Sequence, residues 1–174
     1  GSIGLAYDVI IVGAGPAGCM CAFEAKNSAP SLRILLIDKA SFPRNKSCGG
    51  VLKEEAYHFL SSTLKLSIPQ DVYSSPKNLD VRYLDWDTNF EFVQKRAFIN
   101  IDRKLFDSWL LSLVDKSVHI AFETLLTSFE VSEECVHLTL KQRAGNFRLK
   151  TRFLVDASGG KSPIRKYFGR NHIT

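Results

Sequence analysis

The sequence predicts an α/β fold, a parallel sheet flanked by helices with an antiparallel β-meander inserted into it, and three observations predict it. The run YDVIIVGAG, beginning at Tyr7, is uniformly apolar until it ends in glycines, as expected of a strand buried on both faces. PAGCMCAFEAKNSA then reads as a helix and LRILLID as a second buried strand, which completes a βαβ unit. Late in the chain, short strands are expected near 118–122, 124–131, 135–142 and 147–155, with RAGN as a turn. Three of these form the meander, over about 124–151.

Between these parts the elements follow in order. VLKEEAYHFLSSTL has helical periodicity, and Ser67 to Lys77 reads as a Pro- and Ser-containing connector. LDVRYLDW and FEFVQKRAFINI are rich in aromatic and β-branched residues and predict an insert of strands over about 79–101. DRKLFDSWLLSLVDK is an amphipathic helix whose stripe is Leu105, Phe106, Trp109, Leu110, Leu113 and Val114. After the apolar strand RFLV, a short helix is expected with Ser162 as N-cap and Pro163 in its first turn.

The 174 residues suffice for one core, and 45% apolar with 24% charged residues is an ordinary globular balance. No apolar run approaches the ~20 residues of a membrane span. Gly1 and Ser2 look like a cloning scar and stand outside the fold reasoning. The net charge of +5 is too modest to argue for a nucleic-acid partner. Cys19, Cys21, Cys48 and Cys135 have neither metal-site nor CxxC spacing, so free thiols in a reducing cytoplasm are expected, with no metal. Nothing in the pattern specifies an oligomeric state.

GAGPAG carries the main chemical signal. Gly13, Gly15 and Gly18 have GxGxxG spacing directly after a strand and at the opening of a helix. The first glycine permits a tight turn, the second lets a pyrophosphate approach the backbone, and the third lets helix and strand pack closely. The helix start offers unpaired N–H groups and partial positive charge to phosphates. Asp38, about 20 residues further on at the end of the second strand, suits ribose hydroxyls and repels a 2′-phosphate. Ala14, Pro16 and Ala17 between the glycines and Lys39 beside Asp38 complete this part of the expected contact set. The fold is therefore Rossmann-like, and its ligand an adenine dinucleotide.

The stretch SFPRNKSCGGVL points from NAD towards FAD. Two adjacent glycines, Gly49 and Gly50, let a backbone lie flat against a planar ring system. Arg44 and Lys46 either hold phosphate or ribityl oxygens or face water. Cys48 is either a reactive thiol beside a flavin, the one catalytic candidate, or a small side chain that fits its space. Arg103 stands with Lys104 in a helix's first turn, where a cation opposes the helix dipole by ~0.3–1 kcal/mol, so a contact to an anionic ligand is expected rather than a solvated Arg–Lys pair whose small penalty is tolerated. Asp156, in DASGGKSPIR, is either a cofactor contact or a capping residue.

FPRNKSCGG together with GAGPAG and INIDRKLFDSWLLSLV resembles the geranylgeranyl reductase family of FAD-dependent oxidoreductases, and within it the CbrA-like branch. The resemblance covers nearly the whole chain. It implies that Arg103 contacts FAD and that Cys48, Gly49 and Gly50 lie near the isoalloxazine. It also implies that the segment with Asp156 and Gly159 lies beside the pyrophosphate. Where relatives have an Asp before the glycine, this chain has Ser158, which weakens the case that NAD(P)H, the expected electron donor, is gripped there.

The implied activity is reduction of an isoprenoid-type or related lipid double bond, with peripheral membrane contact as a corollary, although no amphipathic anchor is evident. An aromatic-type flavin monooxygenase acting on a small molecule is the rival, and a non-catalytic dinucleotide-binding module the alternative from another class. A disulfide reductase would need a second cysteine soon after Cys48, and the Trp-x-Trp of flavin halogenases is absent, Trp86 and Trp109 standing apart. His58, His119, His137 and His172 are scattered and read as structural. The family fold continues with a further flavin-contacting strand and a substrate domain, so residues 3–174 are expected to be the N-terminal part of an FAD-binding domain, truncated before both.

Overall fold

The structure is a computed structural model that describes residues 7–169. Gly1, Ser2 and His172, which entered the sequence reading, lie outside these residues. The chain divides into two compact units, one comprising the residues up to Arg44 and from Leu110 onward, the other Asn45–Trp109.

The first unit is built on a six-stranded sheet. Its strands are β1 (Tyr7–Val12), β2 (Ile34–Ile37), β6 (His119–Ala121), β7 (Leu125–Val131), β8 (Val136–Gln142) and β9 (Gly145–Asp156), in the order β6-β2-β1-β9-β8-β7. β6, β2, β1 and β9 run parallel, while β7, β8 and β9 form the expected antiparallel meander. β9 belongs to both, because its second half pairs with β1 (Ile10 opposite Leu154, Val12 opposite Asp156) while its first half pairs with β8. The uniform apolarity of β1 and β2 is explained by their central position: Ile10, Ile11, Leu36 and Ile37 have no exposed surface. Burying each such side chain contributes about 1.5–3 kcal/mol. One face of the sheet gathers Ile10, Val12, Leu35, Ile37, Leu138 and Leu140 into a core. Helix α1 (Pro16–Ser28) buries Gly18, Cys19 and Ala22, and these small residues let it pack closely.

The second unit carries a three-stranded sheet, order β3-β5-β4, made of β3 (Val51–Leu52), β4 (Tyr73–Asp85) and β5 (Phe90–Ile101). Here the structure corrects two expectations. The helix expected over 51–64 begins later, because Val51 and Leu52 pair with Asn100 and Ile99 of β5. Only α2 (Glu54–His58) and a π-helical turn (Phe59–Thr63) remain helical. The connector expected over 67–77 holds only for its first part: a 3-10 turn occupies Gln70–Val72 and β4 already starts at Tyr73. Pro76 is tolerated because β4 is an edge strand with a bulge between Tyr73 and Asn78. Helix α3 (Arg103–Ser112) starts as expected, with Asp102 accepting from the N–H groups of Lys104 and Leu105. Of its apolar stripe Phe106 and Leu110 are buried, whereas Leu105 is exposed and Asp107 is buried instead. The last helix, α4 (Pro163–Tyr167), belongs to the first unit and has Ser162 as N-cap, its hydroxyl accepting from the Arg165 N–H.

Candidate functional site

The glycine loop of the first unit is shaped by backbone contacts. Gly13 follows β1 with φ of 106°, and its N–H donates to the Ile37 carbonyl at 2.7 Å. A Cβ on Gly13 would lie 2.3 Å from the Ala157 carbonyl oxygen, and one on Gly18 would lie 1.8 Å from the Gly13 carbonyl oxygen. Both positions therefore exclude any side chain. Gly15 differs, because a Cβ there would meet only the Nη2 of Arg44, at 3.3 Å. Gly15 is also the N-cap of α1, which has Pro16 at its start, no side-chain cap and no acidic residue in its first turn. Gly15 and Pro16 are half-buried and Ala17 is exposed, so this end of the helix presents uncapped backbone N–H groups to solvent. Such an end, with a glycine that leaves room for close approach, fits the diphosphate of a dinucleotide cofactor.

Asp38 lies beside this loop and is almost fully buried. Its carboxylate accepts the Ala14 N–H at 2.8 Å and the Ala40 N–H at 2.9 Å, and pairs with Nη1 of Arg44 at 3.0 Å. Arg44 thus does not simply face water: its side chain is mostly buried and paired with the Asp38 carboxylate. Its guanidinium lies over the Phe42 ring, 4.8 Å from the centroid, and Phe42 stacks on Phe122. Lys39 is exposed.

The segment after β9 closes the loop from the other side. Ala157 donates to the Val12 carbonyl and covers Gly13, as the Cβ distances show. Asp156 accepts from the Ser158 N–H at 3.0 Å and the Ser158 hydroxyl at 2.5 Å, and also from the Ser162 hydroxyl. Burial pushes its carboxyl up, but the hydrogen bonds from Ser158 and Ser162 outweigh this and hold it below the usual range. The Asp156 carboxylate is engaged with its own turn and with Ser162, the N-cap of α4. Gly159 is exposed, with φ of 83° and its carbonyl accepting from Arg165.

In the second unit, Cys48, Gly49 and Gly50 lead into β3. Gly50 is buried with φ of 70°, and a Cβ there would lie 2.5 Å from the Ile101 carbonyl oxygen. Gly49 is exposed and has only Val51 Cγ2 near its Cβ position, at 4.0 Å. Because Gly50 is tied to Ile101, Cys48 comes close to Arg103 at the start of α3. The Gly50 N–H and the Arg103 guanidinium both hydrogen-bond the Cys48 sulfur and hold its thiol below the ordinary range. Arg103 is clamped by the buried Asp107, Nε to Oδ1 at 2.9 Å and Nη2 to Oδ2 at 3.2 Å. Asp107 was missed in the sequence reading, although its i,i+4 spacing from Arg103 was the available signal. Lys46 is exposed.

The structure brings together Gly13, Ala14, Gly15, Pro16, Ala17, Gly18, Asp38 and the turn at Asp156 in one unit, and Cys48, Gly50 and Arg103 in the other. The described histidines have partners: His119 the Tyr7 hydroxyl, His58 Glu54, and His137 Cys135. Among the described residues, no helix is long and apolar enough to cross a membrane.

The sequence profile of a family described as FAD dependent oxidoreductase matches residues 8–160. Protein CbrA of Escherichia coli O157:H7 is 29% identical over 171 residues, covering 95% of this chain and 47% of its own. The chain thus spans about half the length of the curated relatives it matches. Among solved structures, the complex of aklavinone-11 hydroxylase with FAD and aklavinone superposes with a TM-score of 0.72 at 18% identity, over 97% of this chain and 36% of that one. A geranylgeranyl bacteriochlorophyll reductase-like protein from Thermoplasma acidophilum gives 0.68 at 18% identity, over 88% and 39%. A triple mutant of the flavin-dependent brominase Bmp2 gives 0.70 at 26% identity, over 88% and 39%. The first two are likenesses of fold.

Proposed function

We propose a function from one premise: the chain belongs to the FAD-dependent oxidoreductase family. It is the FAD-binding part of a flavin-dependent oxidoreductase that reduces a double bond in an isoprenoid-type or related lipid, within the CbrA-like branch of the geranylgeranyl reductases. The observation that carries the cofactor assignment is the glycine loop, in which Gly13 and Gly18 are sealed by backbone while Gly15 stays approachable. The backbone from Gly13 to Gly18, including Ala14, Pro16 and Ala17, holds the diphosphate. Asp38 and Lys39 serve the adenosine end, and the turn of Asp156 and Gly159 supports the loop. On the motif resemblance, Lys46, Cys48, Gly49, Gly50 and Arg103 contact the flavin.

When bound, FAD supplies hydride transfer, and the protein supplies position and electrostatics. Cys48 is the residue suited to proton exchange: the Gly50 N–H and Arg103 favour its thiolate, and Asp107 keeps Arg103 in place. NAD(P)H is the proposed electron donor, and the free thiols support a cytoplasmic setting with peripheral contact to a lipid surface. The second reading is an oxygen-using flavoenzyme acting on a small aromatic molecule, favoured by the hydroxylase and brominase among the structural neighbours. A non-catalytic dinucleotide-binding module is the third.

Visible absorption of the purified chain titrated with FAD tests the proposal. The expected result is a shifted, retained flavin band that bleaches with NADPH and returns in air. Gly15→Val should fold, since its Cβ would meet only the flexible end of Arg44, yet lose the band by blocking the backbone. Near-wild-type FAD affinity in Gly15→Val, or binding of NAD but not FAD by the native chain, defeats the cofactor assignment. A retained band that NADPH never bleaches favours the non-catalytic module.

A further inference from the structure

The hydrogen bonds of Asp38 leave it no room for a ribose. A carboxylate offers about four lone-pair positions. Oδ2 accepts from Ala14 N at 2.8 Å and Arg44 Nη1 at 3.0 Å, and Oδ1 accepts from Ala40 N at 2.9 Å and the same Nη1 at 3.1 Å. The side chain is 3% exposed. The two backbone donors belong to the loop and turn themselves and cannot leave without unfolding them. Arg44 is the partner that can leave.

Arg44 is unevenly satisfied. Its Nη1 is committed to Asp38, whereas Nε is buried and has no hydrogen-bond partner. A buried donor of a charged group without an acceptor is costly, and the cost is relieved by any arrangement that supplies one. Nη2 lies on the approachable side of Gly15, 3.3 Å from where a Cβ would stand. The guanidinium rests on Phe42, an aromatic face on which it can slide or turn without losing its support. One cation therefore stands between the carboxylate suited to ribose and the backbone suited to a diphosphate.

We propose that Arg44 is a diphosphate-operated gate on Asp38: an incoming diphosphate at the Gly15 end of α1 draws the guanidinium off the carboxylate, and Asp38 then accepts the ribose hydroxyl. This rests on the dinucleotide reading of the glycine loop. A guanidinium fork matches phosphate oxygens at least as well as a carboxylate, and here phosphate adds the acceptor that Nε lacks. The consequence is selectivity. Adenosine, which has the ribose but no phosphate, meets a masked Asp38; ADP opens the gate as it binds. The site thus takes nucleoside diphosphates and their dinucleotides and refuses nucleosides, through a positioning residue rather than through the ribose contact.

Calorimetric titration of ADP and adenosine into the native chain, Arg44→Gln and Arg44→Lys tests the gate, with Gly15→Val alongside. In the native chain ADP should bind at least tenfold more tightly than adenosine. In Arg44→Gln the ADP affinity should fall about tenfold while adenosine binds severalfold better than to the native chain, so that the preference collapses. Arg44→Lys, which keeps the charge but loses the fork, should fall between. Unchanged ADP affinity in Arg44→Gln, or adenosine binding that fails to improve in both variants, overturns the gate. The two failures separate cleanly: if the native chain binds neither ADP nor FAD, or Gly15→Val binds both, the dinucleotide reading fails as well. If the native chain binds and Gly15→Val does not, an ineffective Arg44→Gln removes the gate alone.

Discussion

The loop from Gly13 to Gly18 and the loop from Cys48 to Gly50 draw on the same residue types, glycines beside an Arg–Asp pair, and use them differently. In the first, backbone decides the shape: the Cβ positions of Gly13 and Gly18 fall within 2.3 Å and 1.8 Å of carbonyl oxygens, and two N–H groups fix Asp38 before Arg44 arrives. In the second, only Gly50 is closed in, at 2.5 Å from the Ile101 oxygen, while Gly49 is open. Charge does the organising there: Asp107 holds Arg103, and Arg103 with the Gly50 N–H stabilises the Cys48 thiolate. The first loop is shaped by backbone and left open at Gly15, and in the second an Arg and a backbone N–H lower the pKa of a thiol. The same glycine-rich composition therefore does not imply the same sensitivity to substitution.

The largest expected effect exploits that difference. Gly18→Ala puts a methyl group into the Gly13 carbonyl, on a loop already tied to Ile37 and Ala157. The cost should be about 3 kcal/mol, the top of the usual overpacking range. Gly49→Ala meets only Val51 Cγ2 and should stay within about 0.5 kcal/mol of the native chain. Urea unfolding midpoints of the two variants check this. Equal costs would erase the distinction between a backbone mould and an open loop.

A middle-sized effect concerns the charge-organised loop. Cys48 should be alkylated by iodoacetamide along a pH profile shifted below that of an ordinary thiol, since the Gly50 N–H and Arg103 favour its thiolate. Cys21 should lag, because burial pushes its thiol up. Arg103→Gln should move the Cys48 profile to higher pH and slow alkylation at neutral pH severalfold, with Arg103→Lys restoring part of the shift. By linkage, the lowered Cys48 pKa contributes stability above the ordinary thiol range and loses it as pH falls through the folded value. Peptide mapping of the labelled chain reads all four thiols at once. Coincident profiles for Cys48 and Cys21 would show that Arg103 organises nothing at the sulfur.

The two loops were also unequally legible in the sequence. β1, α1 and β2 could be read because central strands of a parallel sheet are apolar on both faces, and because GxGxxG between strand and helix has a backbone reason at each glycine. The meander could be read from its alternation, but the double pairing of β9 could not, since a strand's second partner leaves no local mark. The second unit resisted for the same reason. Val51 and Leu52 look helical beside Lys53 and Glu54 until β5, far away in sequence, takes them as a strand. Pro76 looks like a connector residue until β4 proves to be an edge. Asp107 was spaced correctly for Arg103, but its burial, which gives the pair its weight, is a tertiary fact. Arg44 was noticed as a cation, and only the fold of its loop back onto Asp38 shows which anion it meets.

The smallest expected effect comes from a third Arg–Asp pair, which calibrates the other two. Asp8 at the start of β1 accepts from the backbone N–H of Arg33 at 2.8 Å and pairs with its guanidinium at 3.0 Å, joining the outer ends of β1 and β2. The hydrogen bonds from the Arg33 side chain and backbone lower the Asp8 pKa to about 2. A depressed carboxyl contributes stability that is fully present above the unfolded value near 3.9, as for any model Asp, and that is lost as pH falls through the folded one. Asp8→Asn should therefore lower the thermal midpoint slightly at about pH 5, by a margin that shrinks as pH falls and disappears only below about pH 2. The effect should be small because Arg33 is 55% exposed, so water and salt screen the pair and holding the long side chain costs entropy. Asp38 and Asp107, with side chains only 3% and 2% exposed, have no such screening, and removing their arginines strands a buried charge. If Asp8→Asn destabilised the chain as much as Arg103→Gln does, burial would not be what separates a structural ion pair from a decorative one.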